Sequence, residues 1–270
     1  MSTADKEMII KCVHNLKFKE ERENALNELT KNRDCLQDLA PVIWHSIGTM
    51  SALLQEIISI YPYLNPSTMN TKVSNRACNV LALLQCVAAH PDTRSAFIKA
   101  NIPLFLYPFL NTVSKGRAYE YLRLTSLGVI GALVKVDNPD FINFLLHTEI
   151  IPLSLRIMER GTELSQTVAT FIIQKILTDA VGLNYICQTN QRLYTVIQVM
   201  DGMVKAQSQS QSSRLLKHIA RCYQKLFENT NARETLCAKI PTILSDNSLD
   251  GHFDENTKQI INTMREQAEA

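Results

Sequence analysis

An all-α fold, built as a right-handed stack of short helical repeats, is predicted by three observations. The chain has only 8 Gly in 270 residues, while 46% of its residues are apolar and 7% aromatic. So little Gly leaves few positions for tight hairpin turns or phosphate loops, and the abundant Leu, Ile, Ala and Lys suit helices. Second, long apolar helical segments end in short polar turns at a regular separation. Third, the sequence that follows each turn repeats.

Asp5 to Leu16 and Glu20 to Lys31 read as two helices, with Asp34 to Tyr61 as a long apolar third. Residues 61–68 read as a loop insertion, because Pro62 and Pro66 break helical bonding. Arg76 to Ala89 leads into His90-Pro91-Asp92, and Leu124 to Val136 into Asn138-Pro139-Asp140. Gln166 to Leu177 leads into Asp179-Ala180, and Arg214 to Phe227 into Asn229-Thr230. The anchors His90, Asn138, Asp179 and Asn229 are 48, 41 and 50 residues apart, close to the roughly 40–47 of armadillo and HEAT units.

After the turns come Arg94 to Ile98 with Ile102-Pro103-Leu104, Phe141 to Leu146 with Ile151-Pro152-Leu153, and Ala232 to Leu236 with Ile240-Pro241. This is the pattern of a three-helix unit. A short helix starts at a polar cap, Pro opens the second helix where its missing N–H costs nothing, and a nearly all-apolar third helix lies between neighbours. Such units bury their apolar faces only by stacking. With a further turn at Asn32, the expectation is an armadillo-type α-solenoid of five to six units over residues 1–245. Gln207 to Ser213 reads as a flexible low-complexity loop. Residues 246–270 read as a polar, acidic tail that is disordered or closes with a short helix through Ile260, Ile261 and Met264.

Composition excludes several function classes. Charge is balanced, 28 Lys and Arg against 26 Asp and Glu, unlike a strongly basic nucleic-acid binder. Apolar runs such as Ile102 to Leu110 are about half the roughly 20 residues a membrane span needs. The seven cysteines are scattered, with no zinc or redox spacing and no His cluster beside them, so no metal or cofactor is expected. They read as reduced thiols in a cytosolic or nuclear protein without a secretory signal. No nucleotide-binding, nucleophile-elbow or H-E-x-x-H motif occurs, and no catalytic residue is assigned.

A binding surface is the better expectation, since third helices in such a stack line a groove. Arg214, Lys217, Arg221 and Lys225 recur at spacings of three, four and four, with His218 among them, giving one basic stripe. It fits phosphate or an acidic peptide; a solvated helix face gives the same pattern. Trp44, Tyr121 and Phe171 are the aromatics of the third helices, suited to core or to a ligand platform.

Arg22 to Leu29, Leu39 to Ser46, Ala82 to Pro91, Ile102 to Leu110 and, above all, Glu120-Tyr-Leu-Arg-Leu-Thr-Ser-Leu-Gly-Val-Ile-Gly-Ala-Leu-Val-Lys135 resemble the armadillo-repeat subunit nine of the CCR–NOT deadenylase complex, the "required for cell differentiation" family. The resemblance runs from about Glu20 to Arg233. It implies a non-enzymatic adaptor that binds the NOT scaffold subunit and short peptides of RNA-binding recruiters. Its place would be the cytoplasm, including P-bodies, and the nucleus, and homodimerisation stays open. It further implies a peptide groove at His45, Ile47, Ser51, Tyr121 and Val168. The resemblance also implies a link to nucleic acid for a basic groove including Arg214, with Lys217, His218 and Arg221 beside it. The family's tryptophan pockets are lined by a Tyr and two Arg; here Asn190, Arg192 and Asn231 stand at those positions, so only one Arg persists. A direct nucleic-acid-binding regulator is the alternative; a carrier of basic cargo peptides is disfavoured by the few acids on the third helices.

Overall fold

The computed structural model describes residues 3–65, 68–207 and 212–269. Among these, every regular element is a helix. The protein divides into two compact units, residues 1–133 and 134–270.

The first unit carries α1 (Thr3–Asn15), α2 (Arg22–Lys31), α3 (Leu39–His45), α4 (Thr49–Ile60), α5 (Thr71–Ala89), α6 (Pro91–Lys99), α7 (Tyr107–Leu110) and α8 (Arg117–Val134). The second carries α9 (Pro139–Leu146), α10 (Ile150–Arg160), α11 (Glu163–Thr178), α12 (Ala180–Cys187), α13 (Asn190–Gln207), α14 (Ser213–Phe227), α15 (Thr230–Ala238), α16 (Thr242–Ser245) and α17 (Glu255–Glu269).

The repeated turn residues are N-caps. His90 Nδ1 accepts from the Asp92 amide at 3.2 Å and Asn138 Oδ1 from Asp140 at 2.9 Å. Asp179 Oδ1 accepts from Val181 and Gly182 at 2.9 and 3.0 Å, and Asn229 Oδ1 from Ala232 at 3.2 Å. Each cap satisfies amides that the first helical turn leaves without partners. Asn32 differs. It closes α2 rather than opening a helix, its amide and side chain both donating to the Glu28 carbonyl.

The long helix expected over Asp34 to Tyr61 is two helices. Gly48 adopts φ +81 and Ser46 is extended, so the backbone turns between α3 and α4. Glycine enters the left-handed region without a Cβ penalty. The expected loop after Tyr61 begins instead as a 3-10 turn over Tyr61–Leu64. Pro62 lies in its first turn, where no N–H is needed; Pro66 and most of the Gln/Ser loop, residues 208–211, lie outside the described residues.

Each unit has its own core. Val80 to Leu84 of α5 are buried without interruption, as a helix enclosed by α2, α3, α4 and α6 requires. In the second unit α11 packs against α14, with Ile172, Ile173 and Ile176 buried on the first and Leu215, Ile219 and Tyr223 buried on the second. Burying each such side chain is worth roughly 1.5–3 kcal/mol. Helix α17 packs on α14, with Ile261 and Met264 buried. Gly182 sits where a Cβ would stand 2.1 Å from the Ile176 carbonyl oxygen, so the passage from α11 into α12 depends on its missing side chain. All seven cysteines are free thiols.

Candidate functional site

In the second unit, Val168 and the basic residues lie on adjoining helices. Leu164, Val168, Phe171 and Lys175 follow spacings of four, three and four along α11, which places them on one face. Arg214, His218, Arg221 and Lys225 follow the same spacings on α14. The two helices are joined at His218: its ring meets Phe171 edge-on at 5.7 Å, and its Nδ1 donates to Gln174 Oε1 at 2.7 Å. Val168 is half-buried and Leu164 exposed, so an apolar strip borders a basic one.

The basic strip carries less charge than its residues suggest. Burial, followed by the charges of Arg214, Arg221 and Lys217, pushes the His218 imidazole down to about 4; it is neutral at pH 7. Lys217 Nζ pairs with Asp254 Oδ2 at 2.6 Å, and Lys225 Nζ with Glu228 Oε1 at 2.8 Å. Arg214 and Arg221 form no ion pair among the described residues. They are the charges available to a ligand. Asp254 also accepts from the amide and hydroxyl of Thr257, at 2.8 and 2.6 Å, capping α17.

A second cluster joins Asn190, Arg192 and Asn231. Asn231 Nδ2 donates to the Cys187 carbonyl at 3.0 Å and to Asn190 Oδ1 at 3.3 Å. Arg192 donates to the Tyr185 carbonyl and lies over the Tyr185 ring at 3.8 Å. Tyr185 is a residue that sequence reasoning missed. It lies five positions before Asn190, on a different helix, and nothing in local spacing signals the stack.

The remaining groove positions belong to the first unit. His45 ends α3, Ile47 is 91% exposed at the Gly48 turn, and Ser51 is exposed on α4. Gly48 neighbours Lys17, whose ammonium lies 5.6 Å from the Phe18 ring centre. Tyr121 lies on α8, where its phenol oxygen accepts from Arg117 Nε and Nη2 at 3.0 and 2.7 Å. Thus His45, Ile47 and Ser51 gather around one turn, Tyr121 is fixed by Arg117, and Val168 belongs to the other unit. Among the described residues no three His, Cys, Asp or Glu side chains converge on a metal-sized site, and no single helix is long and apolar enough to cross a membrane.

Comparison with known proteins gives the relationship. The family model described as "Cell differentiation family, Rcd1-like" matches residues 12–267. The protein is 59% identical over 242 residues to "Cell differentiation protein rcd1" of Schizosaccharomyces pombe, covering 89% of its own length and 86% of that relative's. It is 55% identical over 234 residues to "Protein CAF40" of Saccharomyces cerevisiae, covering 86% of its own length and 63% of that relative's. A designed armadillo repeat protein in complex with the peptide (KR)4 superposes with a TM-score of 0.68 at 14% identity, over 96% of this protein and 99% of that one. Computationally designed armadillo repeat proteins for modular peptide recognition give 0.69 at 15%, over the same shares. The solved structures establish the fold, an all-α solenoid of armadillo type. The length and identity of the sequence matches establish descent: the protein belongs to the Rcd1-like cell differentiation family.

Proposed function

We propose that this protein is a non-enzymatic adaptor subunit of the CCR–NOT deadenylase complex. In this reading it bridges the NOT scaffold and peptide motifs of RNA-binding recruiters, and so promotes mRNA deadenylation, decay and translational repression in the cytoplasm, P-bodies and nucleus. The observation that carries the reading is the α11–α14 face. Leu164, Val168 and Phe171 offer an apolar strip, and Arg214 and Arg221 border it with charges that no acid neutralises among the described residues. That combination suits an amphipathic peptide with acidic flanks. Co-purification from lysate with and without Val168→Glu tests it. Loss of RNA-binding proteins with retention of the scaffold is the expected result. Failure of the unmodified protein to bring down either partner would refute the proposal.

The free arginines favour one second reading, direct binding of nucleic acid. Two neutralised phosphates of a single strand give a salt slope of about −1.4, or roughly a 7-fold loss of affinity between 50 and 200 mM salt. A peptide held mainly by Val168 and Phe171 would show much less. Salt titration against a single-stranded oligonucleotide and a recruiter peptide separates the two.

A further inference from the structure

The first unit holds a polar cleft made of none of the residues assigned above. Between α2 and α5 lies a space of about 330 Å3 lined by Glu23, Asn27, Lys72, Asn75, Arg76 and Asn79, with Leu26 also on its wall. This is the small end of the ligand-site range. Lys72, Arg76 and Asn79 recur at four and three along α5, with Asn75 beside them, and Glu23 and Asn27 are four apart on α2.

The cleft is partly pre-organised. Arg76 is gripped by Glu56, Nε on Oε2 at 2.6 Å and Nη2 on Oε1 at 3.0 Å, while its Nη1 reaches Glu23 at 3.0 Å. Asn79 Nδ2 donates to Asn27 Oδ1 at 2.8 Å. That bond leaves the Asn79 oxygen as an acceptor and the Asn27 nitrogen as a donor. The side chains of Lys72 and Asn75, both exposed, make no hydrogen bond or ion pair among the described residues. The charges of Arg22, Arg76, Glu23 and Glu56 are spent on one another, so the unspent charge is the Lys72 ammonium.

These features select a ligand class. Each carboxamide offers both donors and an acceptor, the complement of a peptide carbonyl and amide N–H. Asn75 and Asn79 are separated by four helical residues, a rise of about 6 Å; two residues of an extended peptide span about 6.6 Å. A helical ligand has its backbone groups bonded internally and cannot use such a pair. We propose that the α2–α5 cleft binds a short extended peptide segment carrying an acidic side chain. Asn75, Asn79 and Asn27 take its backbone, and Lys72 takes its carboxylate. This proposal does not rest on the deadenylase reading, because it uses neither α11 nor α14.

The test is nuclear magnetic resonance of the full-length protein labelled with nitrogen-15, titrated with acetyl-Ala-Asp-Ala-methylamide, its Asn and Lys counterparts, and acetate. The side-chain amide signals of Asn27, Asn75 and Asn79 are expected to move saturably with the Asp peptide. The Asn peptide should bind about two- to fivefold more weakly, the scale of one exposed charge contact. Asn75→Ala should weaken both peptides about fivefold, the scale of one net hydrogen bond. Lys72→Ala should erase the Asp-over-Asn preference. Both side chains are exposed and without partners among the described residues, and circular dichroism verifies that the variants fold. Unmoved amides, tighter binding of the Lys peptide, indifference to Asn75→Ala, or acetate matching the Asp peptide would each overturn the proposal, the last by reducing the cleft to a small-anion site. An oligonucleotide displacing the signals where the peptides do not would overturn it in favour of nucleic acid.

Discussion

Replacing Glu56 should unfasten the first unit. Glu56 is 6% exposed and Arg22 8%, and their Oε1–Nη1 distance is 3.0 Å. Arg76 adds bonds of 2.6 and 3.0 Å to the same carboxylate, so one side chain on α4 ties α2 to α5. Breaking a buried ion pair by removing one partner costs about 3–5 kcal/mol. The lower end applies here, because Arg22 keeps the Leu16 carbonyl at 2.6 Å and Arg76 is partly solvated. Glu56→Ala should therefore cost about 3 kcal/mol, lowering the melting temperature by about 6–12 °C for a domain of this size. Glu56→Gln should cost about half that. Burial raises the carboxyl pKa, but the hydrogen bonds from Arg76 and Arg22 outweigh it, and the folded value lies below the ordinary glutamate value. The contribution is thus complete above the ordinary carboxylate range and lost as pH falls through the lower folded value. Thermal unfolding between pH 3 and 7, with a double-mutant cycle against Arg22→Ala, measures both effects. Melting of Glu56→Ala within about 2 °C of the parent at pH 7, or strict additivity with Arg22→Ala, would refute the reasoning.

Three further outcomes are expected. Gly182→Ala should cost several kcal/mol or abolish folding, because its Cβ would meet the Ile176 carbonyl oxygen at 2.1 Å; a soluble variant with unchanged urea midpoint would contradict this. His218 should titrate near pH 4 in carbon-bound proton shifts. Because its folded pKa is depressed, its contribution to stability is full above the unfolded value near 6.5 and is lost as pH falls towards 4; a midpoint near 6.5 in the folded protein would contradict the buried, arginine-flanked site. Asp254→Asn should release Lys217 from its 2.6 Å ion pair and steepen the salt slope for a single-stranded oligonucleotide by about 0.7. A slope unchanged by the substitution would show that Lys217 does not reach the ligand.

The repeat was legible in the sequence because it is written in local chemistry. His90, Asn138, Asp179 and Asn229 each bond amides two or three residues ahead, an interaction set by sequence spacing. The helix faces of α11 and α14 follow from 3.6-residue periodicity in the same way. The break at Gly48 was not legible, since an isolated Gly within an apolar run is compatible with continuous helix until packing beside Lys17 fixes the turn.

What the sequence alone determined is therefore the fold class, the repeat register and the family, all carried by contacts within a few residues or by identity over most of the protein. What only the tertiary structure decided is the charge and availability of the site residues. Lys217 finds Asp254 across 37 residues, Asn79 finds Asn27 across 52, and His218 is buried against Gln174 across 44. The charge a residue carries depends on burial and on neighbours in space, and neither is encoded in the spacing of the residues along the sequence.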